Sequence, residues 1–224
     1  DGGMDLFSVL FFRYLFAIPI LAIMLKLRRR DFSIKKDDIT PLLILGVLFA
    51  MSSITLFSSY NHMDAGVAST ILFVYPIMVA LLMFIFFKEK ISKMTMACIA
   101  VAMVGIALLC KSGDGAMISM KGLIFVLGSA LSYSIYIVYI NKSRIKGMAT
   151  IKVTMYVLTV GWFIFAIRAL ITGELNMPSS EQWYLWGNVL ALAIFPTIIS
   201  LVCTTEAIQC IGSTPTAILG VLEP

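Results

Sequence analysis

GVASTILFVYPIMVALLMFIFF, residues 66–87, runs for 22 positions without a charge. At 1.5 Å per residue a helix of that length reaches about 33 Å, enough to cross about 30 Å of hydrocarbon. Pro76 stands near its midpoint, and the charged run KEK at 88–90 closes it. The stretch reads as a membrane-spanning helix with a backbone irregularity at mid-depth.

The same pattern recurs on both sides of it. Apolar segments of spanning length lie at about 6–25, 41–60, 94–110, 121–140, 153–171 and 186–208, and an eighth begins near Ser213. Sixty per cent of the residues are hydrophobic and 13% charged, with a mean hydropathy of +0.99. That balance excludes a water-soluble domain of this size. The connections are too short to carry an extramembrane domain, so any function resides among the helices. The expected fold is an all-α polytopic membrane bundle, seven complete spans plus the start of another. With no initial methionine, no signal peptide and an eighth segment cut short, the chain reads as a fragment lacking both ends.

The net charge of +5 is distributed by topology. Lys26, Arg28, Arg29, Arg30, Lys35 and Lys36 occupy the first connection, Lys88, Lys90 and Lys93 the third, and Lys142, Arg144, Lys146 and Lys152 the fifth. The alternate connections hold only Lys111 and Lys121. This bias places the odd-numbered connections in the cytoplasm and argues against a nucleic-acid partner. Cys98 and Cys110, and Cys203 and Cys210, sit about 18 Å and about 10 Å apart along their helices, too far to bridge. The single His62 has no partner at ligand spacing, so neither a metal site nor a cofactor is expected.

Ionisable groups inside spans cost about 2.5–3.5 kcal/mol each on insertion scales, so they are functional candidates by default. Arg13 lies seven residues into the first span, open to snorkelling or to an inward-facing anion or helix partner. Arg168, within a turn of its span's outer end, is placed to snorkel. Glu206 lies near a cytoplasmic end. Glu223, nine residues past Thr214, falls about 14 Å deep, near the midplane.

Pro76 falls at about 15 Å by the same count. Laid together without a gap, SSYNHMDAGVASTILFVYP (58–76) and EAIQCIGSTPTAILGVLEP (206–224) each show a span's end, a short polar turn and a proline 12 positions past Asp64 and Gly212. The loop charges orient the two helices in opposite directions, the mark of an inverted repeat. Pro76 and Pro224 would each free a carbonyl, those of Leu72 and Gly220, and build a polar spot at mid-membrane. Ser129, Ser132, Tyr133, Tyr136 and Tyr139 recur at helical spacing on one span, and Ser52, Ser53, Thr55, Ser58, Ser59 and Tyr60 on another. Small hydroxyls also serve close helix packing, and the Gly128 to Ser132 spacing fits that use. Tyr133 and Tyr136 are too large for it.

GVASTILFVYPIMVALLMFIFFKEKIS resembles the fourth helix of the EamA-type family of the drug/metabolite transporter superfamily, with Pro76 followed by Glu89 at the cytoplasmic end. AIQCIGSTPTAILGVLEP resembles that family's ninth helix, and FFRYLFAIPILAIML its second, including Arg13. One departure is Lys88, where the family commonly has glycine. The resemblance covers essentially the whole chain and implies two inverted five-helix repeats with both termini cytoplasmic. On that reading residues 1–110 form the first repeat without its first helix, and 111–224 the second without its tenth and most of its ninth.

The resemblance implies a multi-pass secondary transporter, expected in a bacterial inner membrane, that exports a small polar or amphipathic metabolite by alternating access. Arg13, Tyr75, Pro76, Tyr133, Tyr136, Glu223 and Pro224 are its candidate substrate-binding residues. Glu223 would couple transport to a proton, because burial favours a neutral carboxyl. The partners expected are a small-molecule substrate and the lipid bilayer, with homo-oligomerisation left open. The nearest rival, a sugar-phosphate or nucleotide-sugar exchanger, needs several basic residues at membrane depth, and essentially Arg13 alone is offered. A seven-helix receptor of retinal type lacks a mid-span lysine, and no carboxylate pair, Ser-Lys or His cluster at one depth supports an enzyme. A structural membrane protein has no need of matched midplane prolines.

Overall fold

The computed structural model describes residues 6–89, 97, 100, 101, 104, 119–172 and 183–220, and among these all regular structure is helical. The helices are α1 (Leu6–Leu27), α2 (Lys36–Ser59), α3 (Ala65–Leu72), α4 (Tyr75–Phe87), α5 (Met120–Lys142), α6 (Thr150–Thr172), α7 (Trp183–Leu192), α8 (Ser200–Ile211) and α9 (Ser213–Gly220). A π-helical segment, Ala193–Ile199, joins α7 to α8. Six described spans are long and apolar enough to cross a membrane: Phe7–Leu27, Lys36–Ser59, Ala65–Phe87, Met120–Lys142, Thr150–Ile171 and Tyr184–Ile211. They match six of the seven expected spans to within a few residues, apart from the earlier start of the second. The span expected at 94–110, with Cys98 and Cys110, lies almost entirely outside the described residues. The protein is an integral, multi-pass membrane protein.

The chain divides into two compact units, Asp1–Val47 with Ser143–Ala207 and Leu48–Lys142 with Ile208–Pro224. Each unit draws on both halves of the sequence.

In the first unit α1 packs along α6 and also meets the π segment and α7. Leu10, Tyr14, Ala17, Leu21 and Leu25 of α1, spaced at three or four residues, form its buried stripe. Aromatic edges lock the helices: Tyr14 meets Phe165 at 5.3 Å, and Phe12 meets Trp186 at 5.0 Å. Ile23, Phe163, Ile167, Leu170 and Ile171 point outward, the expected lipid-facing surface. Pro19 is exposed as well.

Pro196 accounts for the π segment. Having no N–H, it cannot bond the Leu192 carbonyl four residues back. The Thr197 hydroxyl donates to that carbonyl at 2.8 Å instead, and Thr197 is fully buried. Thr197→Val keeps the shape and removes the donor, so it should lower thermal stability in detergent by about 1 kcal/mol. Thr197→Ser should leave stability near that of the parent; equal losses in the two variants would contradict this role.

In the second unit α3 and α4 pack on α5, and α9 packs on α4 and α5. Ala68, Ile71 and Val126 form a core that Tyr60, Met63, Val67, Leu72 and Leu123 surround. Gly122 admits Met63: a Cβ there would lie 2.7 Å from the methionine's terminal carbon. At Gly128, by contrast, nothing described comes within 4 Å of a built Cβ. Among the described residues, then, none packs against Gly128.

The end of α4 explains the departure at position 88. Lys88 has φ +54°, and the Glu89 N–H bonds the Met83 carbonyl at 3.3 Å across the helix end. This left-handed closure favours glycine, which is the family's usual residue there by the resemblance. Lys88 adopts the conformation without being glycine.

Candidate functional site

The second unit's site begins where α3 is started. Asp64 caps α3, its carboxylate accepting from the Gly66 N–H at 2.8 Å. Gly212, aligned with Asp64 above, likewise immediately precedes a helix, α9, at φ +92°. The chain there takes a left-handed turn that glycine permits without strain.

Within the 23-residue span Ala65–Phe87, Pro76 has eleven residues on either side (65–75 and 77–87). A kink is expected there; the structure breaks the α-helical hydrogen bonding at Phe73 and Val74, whose dihedrals stay near helical (φ −63°, ψ 5° and φ −68°, ψ −19°). Phe73 N–H bonds Thr70 O at 3.2 Å and Val74 N–H bonds Ile71 O at 3.0 Å, tight turns that close α3. A new helix then starts at Tyr75, with Pro76 in its first turn, where a missing N–H leaves no intrahelical bond unmade. Two short helices thus meet at mid-span.

Tyr75 is held at this break from three sides. Its carbonyl lies 3.0 Å from the Ser134 hydroxyl, which shares its one proton between this carbonyl and that of Ala130 at 2.6 Å. Its ring meets Tyr133 edge-on, centroids 5.1 Å apart. Its hydroxyl lies so close to Gly220 that a Cβ on Gly220 would be 2.0 Å away. Tyr133 in turn stacks with Tyr136 at 5.9 Å and an interplanar angle of 11°, and Tyr136 meets Phe49 at 5.5 Å. Tyr75, Pro76 and Tyr136 are buried, and Tyr133 is half-buried.

Hydroxyls clamp the surrounding helices. Ser129 donates to the Ser52 carbonyl at 2.8 Å, and the two hydroxyls lie 3.0 Å apart. Buried Asn141 donates to Ser213 at 3.2 Å, tying the end of α5 to the start of α9. At the same end Lys142 pairs with Glu89 at 3.0 Å and lies 4.8 Å from the Phe87 ring.

Four of the seven candidate residues, Tyr75, Pro76, Tyr133 and Tyr136, thus come together. Glu223 and Pro224 lie outside the described residues. Arg13 belongs to the first unit, on α1, with its guanidinium 5.6 Å from the Tyr14 ring centroid. Its Nε is buried and has no hydrogen-bond partner, and no carboxylate pairs with it among the described residues. Arg168 lies over the Phe7 ring, and Glu206 accepts from the Thr150 hydroxyl.

Sequence reasoning missed Ser134, Phe49, Asn141 and the contact at Gly220. Their partners lie 59 to 87 positions away except for Gly220, whose partner Tyr75 is more distant still, and no local period connects them. The hydroxyl stripes carry part of the signal, since Ser52 and Ser129 belong to them and meet in the structure.

Chemically, the cluster offers aromatic faces and phenol hydroxyls at mid-span. Such groups recognise planar, apolar or cationic portions of a ligand and can hydrogen-bond its polar end.

The EamA-like transporter family matches the sequence twice, over residues 2–110 and over residues 120–224. Similar curated proteins include two uncharacterized transporters of Bacillus subtilis (strain 168). YvbV is 26% identical over 145 residues, 65% of this chain and 45% of that protein. YdfC is 27% identical over 184 residues, 82% of this chain and 58% of that protein. The chain therefore spans about half the length of these relatives. A solved crystal structure superposes with a TM-score of 0.72 at 17% identity, over 99% of this chain and 80% of the other, a likeness of fold.

Proposed function

Because this chain belongs to the EamA-like transporter family, we propose that it exports a small polar or amphipathic metabolite by alternating access between its two inverted sequence repeats. Residues 1–110 and 111–224 are those repeats, and the substrate passes the tyrosines at the α3–α4 break. The observation that carries this reading is the mid-span interruption with Tyr75, Tyr133 and Tyr136 gathered beside it. An interrupted helix inside a membrane is tolerated where it lies against protein or a water-filled path, and transporters place their sites at such interruptions.

Arg13 attracts an anionic group of the substrate or holds its repeat together, and Glu223 with Pro224 supplies the opposing wall. Glu223 also carries the coupling proton. An efflux screen of a metabolite and drug library, run on the natural gene product in full, tests the activity. Glu223→Gln should then slow export at least tenfold and flatten its pH dependence. Unchanged rate and pH profile would remove the proton role, and no exported compound in the screen would remove the transport reading itself.

A further inference from the structure

We propose that Gly220 is a positioning residue for Tyr75: its lack of a side chain makes room for the Tyr75 hydroxyl, and this steric fit is the latch that lets α9 seat on the α3–α4 break. This rests on the assignment of Tyr75 to the transport path.

Sterics set this contact. A Cβ at 220 would stand 2.0 Å from the Tyr75 oxygen but 3.4 Å from its Cζ. The first distance is an overlap and the second an ordinary van der Waals contact. A tyrosine hydroxyl at the end of a mobile side chain would swing aside. Tyr75 is 7% exposed, with its ring packed edge-on against Tyr133. It therefore has little freedom, and the helix that carries residue 220 must yield instead. Only glycine lets α9 approach the break this closely, as small residues do at membrane helix crossings.

The latch predicts an unusual pairing of variants. Gly220→Ala should displace α9, whereas Gly220→Ala combined with Tyr75→Phe should not, because the phenylalanine lacks the atom that collides. Tyr75→Phe alone should leave α9 in place, whatever it does to transport.

Ala217, three residues before Gly220 and 1% exposed, reports the position of α9. In the full natural protein with its own cysteines replaced, Ala217→Cys should react slowly with N-ethylmaleimide. Gly220→Ala should speed that labelling at least tenfold, and adding Tyr75→Phe should return it to within about twofold of the starting rate. Gel filtration confirms that each variant is folded. If Gly220→Ala leaves labelling unchanged, or if Tyr75→Phe fails to reverse it, the latch is refuted. Because labelling needs no substrate, a positive result here alongside failed transport tests would retain the latch and remove the path.

Discussion

Gly46→Ala is expected to destabilise the protein by about 3 kcal/mol, at the upper end of what overpacking costs. A Cβ on Gly46 would lie 2.4 Å from Val160 Cβ and 2.5 Å from its Cγ1, with the Val157 carbonyl at 3.2 Å. Val160 Cβ is bonded directly to the backbone, so rotating the side chain gives no relief. Either α2 or α6 must shift within the first unit, separating surfaces that pack without the help of water exclusion. The diagnostic partner is Val160→Gly. Alone it costs about 1–2 kcal/mol, chiefly the lost packing of a half-buried valine with a few tenths from helix propensity; combined with Gly46→Ala it removes both closest contacts. The double variant should recover about 2 kcal/mol relative to the sum of the singles, read from thermal unfolding in detergent. Additive losses would show that the crossing is not where the strain arises.

Tyr133→Leu is expected to raise the apparent KM for an exported compound about tenfold, equivalent to about 1.4 kcal/mol of binding. The residue is half-buried and stands between Tyr75 and Tyr136, so it is the member of the trio best placed to meet a ligand. An aromatic pair contributes about 0.5–1.5 kcal/mol beyond burial, and a desolvated cation over such a ring about 2 kcal/mol. The stability cost should stay at about 1–2 kcal/mol, the ordinary range for a single substitution. The effect thus separates from loss of fold.

Much of the architecture was legible because the bilayer imposes it. Span length follows from hydrocarbon thickness, and six of the expected spans are described where the sequence places them. The Pro76 position was legible for the same reason, since counting residues gives depth. What counting did not give was the form of the irregularity. A proline inside a helix predicts a kink, and only the tight bonds at Phe73 and Val74 make it a break. At Pro196 the same chemistry yields a π segment, because Thr197 stands next in sequence and can donate backwards.

The candidate site divides along a similar line. Tyr133 and Tyr136 were visible as a stripe too bulky for packing, and Tyr75 as the neighbour of Pro76. Ser134 and Asn141 were not, for each acts through a partner on another helix. The glycines show the limit most clearly. Gly46 and Gly220 lack any local signature and stand at the tightest approaches among the described glycines. Close approach is a property of two helices at once, and one helix's sequence does not encode it.

The central claim, that substrate passes the tyrosine cluster at the α3–α4 break, is tested most directly by concentration-dependent export in three proteins. These are the full natural protein, its Tyr133→Leu variant and its Phe163→Leu variant, the last altering a residue 55% exposed on the first unit's outer surface. The account predicts a KM raised about tenfold in Tyr133→Leu and unchanged in Phe163→Leu, with both variants folded. Identical KM values in all three would contradict it.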